Sequence, residues 1–255
     1  MQESRVVPPL VSVKGLTKTY TRGKEKLEVL VNVNLDVEDG EFLALMGPSG
    51  SGKTTLLNMI GGLDRPDSGE IVIDGETITA LGQGALTKWQ AGNVGFVFQF
   101  YNLLPVLSAA QNVEVPLYLT NLSRAHRQRN AEIALELVGL ADRMSHKPGE
   151  LSGGQQQRVA IARALAMDPK VMRPDEPTSP LDPELVGEVL DTMTELSGRG
   201  ITMLVVTHEI GFARSSCDAV AIMVDGGIIE HGPPGDVLVK PKEERSRAFL
   251  RSVIG

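Results

Sequence analysis

The sequence is nearly without cysteine and contains no long apolar run. Cys217 is its single cysteine, which excludes an internal disulfide and a metal site built from several cysteines, and which indicates a small packing residue. No stretch approaches about 18 consecutive apolar residues, so we expect no membrane-spanning helix. The N-terminal segment MQESRVVPPL has no apolar core behind basic residues, so we also expect no secretory signal. These absences predict a cytoplasmic protein.

The sequence also lacks an excess of positive charge. It has 25 basic and 32 acidic residues, which give a net charge of −7, and the basic residues are scattered. The densest basic run, 123–129, is interrupted by polar and small residues and is typical of the solvated start of a helix. Because a protein that binds duplex nucleic acid normally carries a basic face, we expect no nucleic-acid partner.

Apolar residues are plentiful enough to build a folded core. The chain has 255 residues, of which 42% are hydrophobic and 22% charged, so it is not disordered and fits one large α/β domain or two small ones. Segments 11–20 and 27–42 alternate apolar and polar residues, which predicts a partly exposed antiparallel sheet. Continuous apolar runs predict strands buried on both faces at 42–46, 94–98, 201–207 and 220–224.

Helical patterns fill the middle of the chain. Segments 130–140 and 155–167 are predicted helices, and the apolar stripe of the first includes Ile133. A third helix is predicted at 184–196. We therefore predict an α/β protein with a mainly parallel sheet, an antiparallel β flank and an inserted helical segment.

Residues Gly47–Thr54, with the sequence GPSGSGKT, match the phosphate-loop pattern GxxxxGK[ST]. A buried strand precedes the segment and a helix follows it, as this pattern requires. The glycines let the backbone wrap closely around phosphates and turn its amides toward them. Lys53 can reach the β- and γ-phosphates, and the Thr54 hydroxyl can bind magnesium. The segment predicts a site for a nucleoside triphosphate.

Two later segments narrow the class of protein. In Leu151–Gln155, LSGGQ, a serine and two glycines at a helix start present free amides and a hydroxyl to an anion, although Ser152 alone is equally well explained as an N-cap. Asp175 and Glu176 follow a predicted strand about twenty residues later. They offer one carboxylate for magnesium and one to orient or deprotonate water.

In this order, the three segments resemble the nucleotide-binding subunit of ATP-binding cassette (ABC) transporters, and the resemblance covers nearly the whole chain. The first is similar to the Walker A loop, the second to the signature motif, and the carboxylate pair to the end of the Walker B strand. The resemblance implies a single P-loop cassette domain. Its RecA-like core would comprise 1–98 and 168–255, and its helical subdomain about 99–167.

The resemblance also implies roles for individual residues. Gln99 matches the Q-loop glutamine, His208 the switch histidine, Tyr20 the aromatic residue that stacks on adenine, and 179–182 the D-loop. The implied catalytic residues are Lys53, Gln99, Glu176 and His208. The implied magnesium ligands are Thr54, Gln99 and Asp175. The implied ATP contacts are Tyr20, Gly47, Pro48, Ser49, Gly50, Ser51, Gly52, Lys53, Thr54, Thr55, Ser152, Gly153, Gly154 and Gln155.

By the same resemblance, ATP and Mg²⁺ are the cofactors, and a homodimer encloses ATP between Walker A of one subunit and the signature loop of the other. A separate membrane permease would carry the transport path, and this chain would lie peripherally on the cytoplasmic face of a bacterial cell membrane. A soluble ABC ATPase of DNA repair is an alternative. It is disfavoured because about 97 residues without sustained heptads separate Thr54 from Ser152. A catalytically weak, structural ABC subunit is another alternative.

Three residues depart from the family pattern near the carboxylates. Arg173 directs a charge toward a predicted core, and Pro174 removes an amide from a predicted central strand. Pro180 replaces a D-loop residue that is usually small. We hypothesise that Asp175 and Glu176 still reach the site, with strain, lower stability or reduced turnover.

The resemblance divides along the chain. From about 13 to 166, segments such as IGGLDRPDSGEI resemble ATPases of lipoprotein-release and macrolide-export systems. From about 176 onward, segments such as VVTHEIGFAR resemble ATPases of polar amino-acid uptake systems. This division leaves open whether the sequence is natural, recombined or engineered. Because the family grips its permease through the Q-loop and the helical segment, which lie in the first part, we predict lipoprotein release or export, with polar amino-acid uptake as the alternative.

Overall fold

A computed structural model describes residues 8–23 and 25–254, which form two sheets with helices packed around them. The strands are β1 Val11–Arg22, β2 Glu25–Val37, β3 Phe42–Met46, β4 Ser68–Ile73, β5 Glu76–Thr77, β6 Val94–Val97, β7 Val171–Pro174, β8 Met203–Val206, β9 Ala219–Val224 and β10 Gly227–Gly232. The helices are α1 Lys53–Ile60, α2 Gln83–Asn93, α3 Ala109–Glu114, α4 Arg124–Leu137, α5 Gly153–Leu165, α6 Pro183–Ser197, α7 Ile210–Ser216, α8 Pro234–Val237 and α9 Glu244–Ile254.

The larger sheet has the strand order β10-β9-β3-β8-β7-β6. All its neighbouring strands are parallel except β10, which is antiparallel to β9. The smaller sheet, β2-β1-β4-β5, is antiparallel throughout. The predicted α/β class, with a mainly parallel sheet and an antiparallel flank, is confirmed.

Strand β3 lies inside the larger sheet and carries the phosphate loop at its end. Phe42, Ala44 and Met46 face the core that includes α3, α4 and α5. Leu43 and Leu45 face the opposite core, with α1 and the antiparallel sheet. All five are fully buried, which explains why this strand is a continuous apolar run rather than an alternating one.

The helix predicted at 130–140 begins earlier and leaves one residue of its predicted stripe exposed. Helix α4 begins at Arg124, where the Ser123 hydroxyl accepts from the backbone N–H of His126, so the basic run forms its first turns. Ile133 is 40% exposed, whereas Ala131 and Leu135 are buried. The predicted stripe was therefore wrong at Ile133, because the buried face of the helix is formed by Ala131, Ala134, Leu135 and Val138.

Other boundaries shift by a few residues. The strand predicted at 27–42 ends at Val37, and the helix predicted at 155–167 runs over Gly153–Leu165. Cys217 is buried, and burial raises the pKa of its thiol to about 12, as expected for a packing residue. Among the described residues, no helix combines the length and the apolar character needed to cross a bilayer.

Strand β7 contains a buried charge. Arg173 is 2% exposed and its guanidinium donates to Asn58 Oδ1 at 2.9 Å, with its carbon 5.0 Å from the centre of the Phe96 ring. Its Nε and Nη1 atoms are buried and have no hydrogen-bond partner among the described residues. Burial lowers the pKa of Arg173 to about 10, so the side chain remains cationic at neutral pH. The predicted entry of this charge into the core is confirmed.

Pro174 interrupts the hydrogen bonding between β7 and β8. The N–H groups of Met172 and Glu176 donate to carbonyls on the β8 side. Pro174, which lies between them, has no N–H to offer the Leu204 carbonyl. The β7–β8 ladder accordingly consists of one registered pair and one isolated bridge. On the other side, the Asp175 N–H donates to a β6 carbonyl at 2.9 Å, which keeps the carboxylates in line with the sheet.

Replacing both residues with apolar ones, in the variant R173L/P174F, should raise the melting temperature. It removes a buried charge with two unpartnered donor atoms, which we expect to stabilise the chain by about 1–3 kcal/mol, or about 2–10 °C. Differential scanning calorimetry measures the shift. The control is K170M, which removes a half-exposed ion pair with Asp74 just before β7. An unchanged melting temperature in R173L/P174F would contradict the cost that we assign to the buried charge.

Candidate active site

The loop between β3 and α1 has a backbone that requires glycine. Gly47, Gly50 and Gly52 have φ angles of +146°, +78° and +100°. A Cβ atom on Gly52 would lie 2.6 Å from the Val29 carbonyl oxygen, and one on Gly47 would overlap the carbonyl oxygen of Met223. The loop therefore lies directly against β2 and β9, with no room for side chains between them.

Backbone hydrogen bonds tie the loop to the rest of the fold. Gly226, in the turn between β9 and β10, donates to the Ser51 carbonyl at 3.1 Å and accepts from the Val31 N–H at 2.9 Å. After the loop, α1 begins with Gly52 as its N-cap, and no side chain of the described residues caps it. Its first amides are therefore free for an anion.

A cleft of about 310 Å³ lies over this loop. It is lined by Ser49, Gly50, Gly52, Lys53, Thr54 and Thr55 of the loop and α1, by Leu27 and Val29 of β2, and by Glu176. The cleft thus combines free amides, one cation and one carboxylate with a short apolar wall.

Lys53 lies folded against its own loop. Its ammonium group donates to the carbonyl oxygens of Gly47 and Pro48, both at 2.8 Å, and the side chain is 5% exposed. Burial lowers the pKa of Lys53, and the carboxylates of Glu176 and Asp175 oppose that shift. A desolvated cation held this way attracts an anion more strongly than a solvated one does.

Thr54 and Asp175 meet between α1 and the end of β7. The Thr54 hydroxyl donates to Asp175 Oδ1 at 3.2 Å. Burial raises the pKa of Asp175, and the positive charge of Arg173 is the largest influence that opposes this shift. The structure therefore brings together two of the three predicted magnesium ligands.

Glu176, the next residue, is held by its backbone and by a histidine. It has a φ of +46°, in the left-handed region, and its N–H donates to the Val206 carbonyl at 3.0 Å. Its Oε1 lies 3.0 Å from Nε2 of His208, which follows β8. The predicted pair of Glu176 and His208 thus converges at the ends of two adjacent parallel strands, beside the phosphate loop.

Gln99 and Tyr20 are not among the residues that line the cleft. The Gln99 amide donates to the Ser179 hydroxyl at 3.1 Å, which joins the predicted Q-loop to the predicted D-loop. The Tyr20 hydroxyl donates to Asp64 at 2.6 Å, with Thr55 close by. Desolvation and this hydrogen bond raise the pKa of Tyr20 to about 12. Tyr20 is 40% exposed, and the Lys18 ammonium lies 5.1 Å from the centre of its ring.

The signature segment lies apart from this cleft. Ser152 caps α5 by accepting from the Gln155 N–H at 3.2 Å, and the Gln155 side chain accepts from the Ser152 N–H at 3.0 Å. Gly153 packs against Tyr101 and Leu181, since a Cβ there would lie 2.9 Å and 3.1 Å from their side chains. None of the described signature residues lines the cleft. Ser152, Gly153, Gly154 and Gln155 are therefore brought to one helix start, but not to the phosphate loop.

The residues present fit a triphosphate with magnesium. The glycine backbone and uncapped α1 suit phosphate oxygens, and Thr54 with Asp175 supplies hard oxygen ligands. Among the described residues, no group of three or more acidic, histidine or cysteine side chains could hold a metal by itself.

Comparison with known proteins identifies the family. The model of the ABC transporter family matches residues 30–179, more than half of the chain. The chain belongs to the ABC transporter family, and it is an ATP-binding cassette that hydrolyses ATP. Subunits of this family pair with membrane permeases and dimerise.

Two curated relatives and one solved structure illustrate the similarity. The chain is 46% identical to the uncharacterized ABC transporter ATP-binding protein YknY of Bacillus subtilis (strain 168), over 86% of this chain and 95% of that protein. It is 44% identical to the L-cystine import ATP-binding protein TcyC of the same organism, over 96% of this chain and 99% of that protein. The solved structure is the dimeric ATP-binding cassette MJ0796 in a post-hydrolysis state with ADP and Pi. It is 42% identical to this chain, over 88% of this chain and 98% of that one, with a TM-score of 0.79.

Sequence reasoning missed some residues of the site. Leu27 and Val29 form the apolar wall of the cleft, and Asp64 holds the Tyr20 hydroxyl. The alternation of β2 indicated that one of its faces is exposed, but not that this face turns toward the phosphate loop. The role of Asp64 depends on the approach of β1 to the segment after α1, which no local pattern encodes.

Adding a methyl group at Gly47 should weaken nucleotide binding strongly. In G47A the new Cβ overlaps the Met223 carbonyl oxygen, so the loop must move off β9 and lose its shape. We expect the affinity for ATP to fall at least about tenfold, as measured by isothermal titration calorimetry. The control is G92A in α2, where a Cβ meets nothing within 4 Å. If G47A bound ATP as tightly as G92A, this description of the loop would be wrong.

Proposed function

We propose that this chain is the magnesium-dependent ATPase subunit of a transporter, with the site residues in the roles that the family pattern assigns. The observation that carries the proposal is the convergence of the phosphate loop, the Thr54–Asp175 pair and the Glu176–His208 pair at one sheet edge. In this assignment Lys53 offsets phosphate charge, Thr54, Asp175 and Gln99 hold magnesium, and the Tyr20 ring stacks on adenine. Magnesium, when bound, neutralises part of the charge on the phosphate oxygens.

Glu176 is proposed to orient the attacking water and to accept its proton. A hydrogen bond to the sheet fixes the backbone of Glu176, and His208 contacts its carboxylate at 3.0 Å. Holding the base in one orientation reduces the entropy that must be lost in the transition state. His208 is also assigned a direct contact with the γ-phosphate.

The signature residues are proposed to complete the cleft of a second copy. They lie away from the chain's own phosphate loop, on the N-terminus of a helix whose first amides point away from its body. The Ser152 oxygen accepts from the Gln155 N–H, so its own O–H stays available to donate to a phosphate oxygen. Ser152, Gly153, Gly154 and Gln155 would thus contact ATP bound to the partner subunit. The predicted domain division, with the signature in a helical subdomain at about 99–167, fits this arrangement.

Removing the charge of Glu176 should separate binding from hydrolysis. In E176Q we expect phosphate release to fall by about 10²–10⁴-fold, because a glutamine cannot accept the proton of water. The affinity for ATP should stay close to that of the unaltered chain, because the phosphate loop is intact. A phosphate-release assay at saturating Mg-ATP measures the effect, with E195Q, an exposed position on α6, as the control.

Equal turnover in E176Q and E195Q would assign the base elsewhere. Absence of turnover in the unaltered chain, with ATP still bound, would instead favour the alternative of a catalytically weak, structural subunit.

For the cargo, the comparisons support polar amino-acid uptake better than the lipoprotein release or export that the sequence alone favoured. TcyC is named for L-cystine import and matches nearly the full chain, including the part after 176. Relatives named for glutamine, arginine and glutamate transport are 43–45% identical over 89–96% of the chain. None of these relatives is named for lipoprotein release. We therefore propose that the chain docks on the cytoplasmic face of a bacterial permease for polar amino acids, with no nucleic-acid partner.

Transport assays distinguish the two cargoes. In cells that lack the gene, we expect the unaltered chain, but not E176Q, to restore uptake of at least one radiolabelled amino acid among L-arginine, L-glutamine and L-cystine. Macrolide susceptibility and the release of lipoproteins should be the same with both. If E176Q instead changed susceptibility or lipoprotein release and left uptake unaffected, the export function would be correct.

A further inference from the structure

Helix α1 and strand β7 contact each other through two pairs of polar side chains. Thr54 donates to Asp175 at 3.2 Å, and Asn58 accepts from Arg173 at 2.9 Å. Thr54 and Asn58 are one helical turn apart, and Asp175 and Arg173 are alternate residues of one extended segment. The two pairs therefore lie side by side, about 6–7 Å apart along both elements.

The second pair places the positively charged guanidinium of Arg173 in the core beside the Thr54–Asp175 pair. Among the described residues, Arg173 has no carboxylate partner, and its hydrogen bond goes to the neutral Asn58 side chain. Its guanidinium also stacks on the Phe96 ring and is shielded from water. A buried charge that is neither paired nor solvated acts on its surroundings over a longer distance than a surface charge does.

That charge affects cations and anions at the cleft in opposite ways. The guanidinium is held by Asn58, one helical turn from Thr54, and it is buried, so little water screens its charge. A divalent cation on Thr54 and Asp175 would be repelled by the guanidinium. The phosphates of a nucleotide on the adjacent loop would be attracted by it.

We propose that Arg173 tunes the cation dependence of this site: it weakens the binding of a divalent cation at Thr54 and Asp175 and strengthens the binding of the metal-free nucleotide. The proposal rests on the magnesium site of the proposed function. It makes Arg173 more than a cost to stability, since the residue sets how much nucleotide binding depends on magnesium.

The test compares the affinity for AMP-PNP in EDTA with that in saturating Mg²⁺, by isothermal titration calorimetry on the full chain. The ratio of the two dissociation constants, termed the magnesium enhancement, equals the factor by which Mg²⁺ binds protein-bound AMP-PNP more tightly than free AMP-PNP. Two neutral variants are used, R173M and R173Q, of which the second can still hydrogen-bond Asn58. R173K keeps the charge and serves as the matched control.

We expect the magnesium enhancement to rise roughly tenfold in R173M and R173Q and to stay within about twofold of the unaltered chain in R173K. In EDTA, the neutral variants should bind AMP-PNP several-fold more weakly. A purely structural role for Arg173 would change both affinities by the same factor and leave the ratio constant.

Two outcomes overturn the inference: an unchanged enhancement in both neutral variants, or an equal rise in R173K. Either result leaves the proposed function intact as long as the unaltered chain shows a magnesium enhancement. If the unaltered chain bound AMP-PNP equally with and without Mg²⁺, the magnesium site itself would be wrong.

Discussion

The close approach of three backbone segments is the constraint on which this structure depends. The loop after β3 lies against the carbonyl groups of β2 and β9 so closely that glycine is required at Gly47 and Gly52. The turn at Gly226 fills the remaining space and bonds to both sides. Because these contacts are made by backbone atoms, they hold the loop in one shape and leave its amides free for a ligand.

The carboxylates are positioned by the end of the parallel sheet. Asp175 and Glu176 follow β7 and His208 follows β8, and parallel strands end at the same edge, where α/β proteins place their sites. The backbone of Glu176 is fixed in an uncommon conformation by a hydrogen bond to β8. This anchoring persists although Pro174 removes one bond from the ladder, because the bonds on either side of it are made.

Arg173 shows that one residue in a core can act on both stability and chemistry. Its burial leaves two donor atoms without partners among the described residues, which destabilises the fold. The same burial preserves the strength of its electric field at the neighbouring Asp175, because little water screens it. The two effects have one cause, so a variant that recovers stability by removing the charge also changes the electrostatics of the site.

Much of the architecture could be predicted from the sequence. The apolar run at 42–46 predicted a strand buried on both faces, which the structure shows, and GPSGSGKT after it matched the phosphate-loop pattern. The order of motifs indicated the family, which the comparisons confirm. One helix face was predicted incorrectly at Ile133, because a periodic pattern does not reveal which of several apolar stripes meets the neighbouring helices.

Contacts between distant segments were decided only by the tertiary structure. The pairing of Asn58 with Arg173, the meeting of Gln99 with Ser179, and the apolar wall from β2 all join residues that are far apart in the chain. Local patterns record which face of an element is apolar, not which element packs against it. The sequence by itself therefore determined the chemistry that the chain carries. The packing of α1 on β7 decided that a charge lies behind the proposed magnesium ligands, because only that packing brings position 173 beneath the helix that follows the phosphate loop.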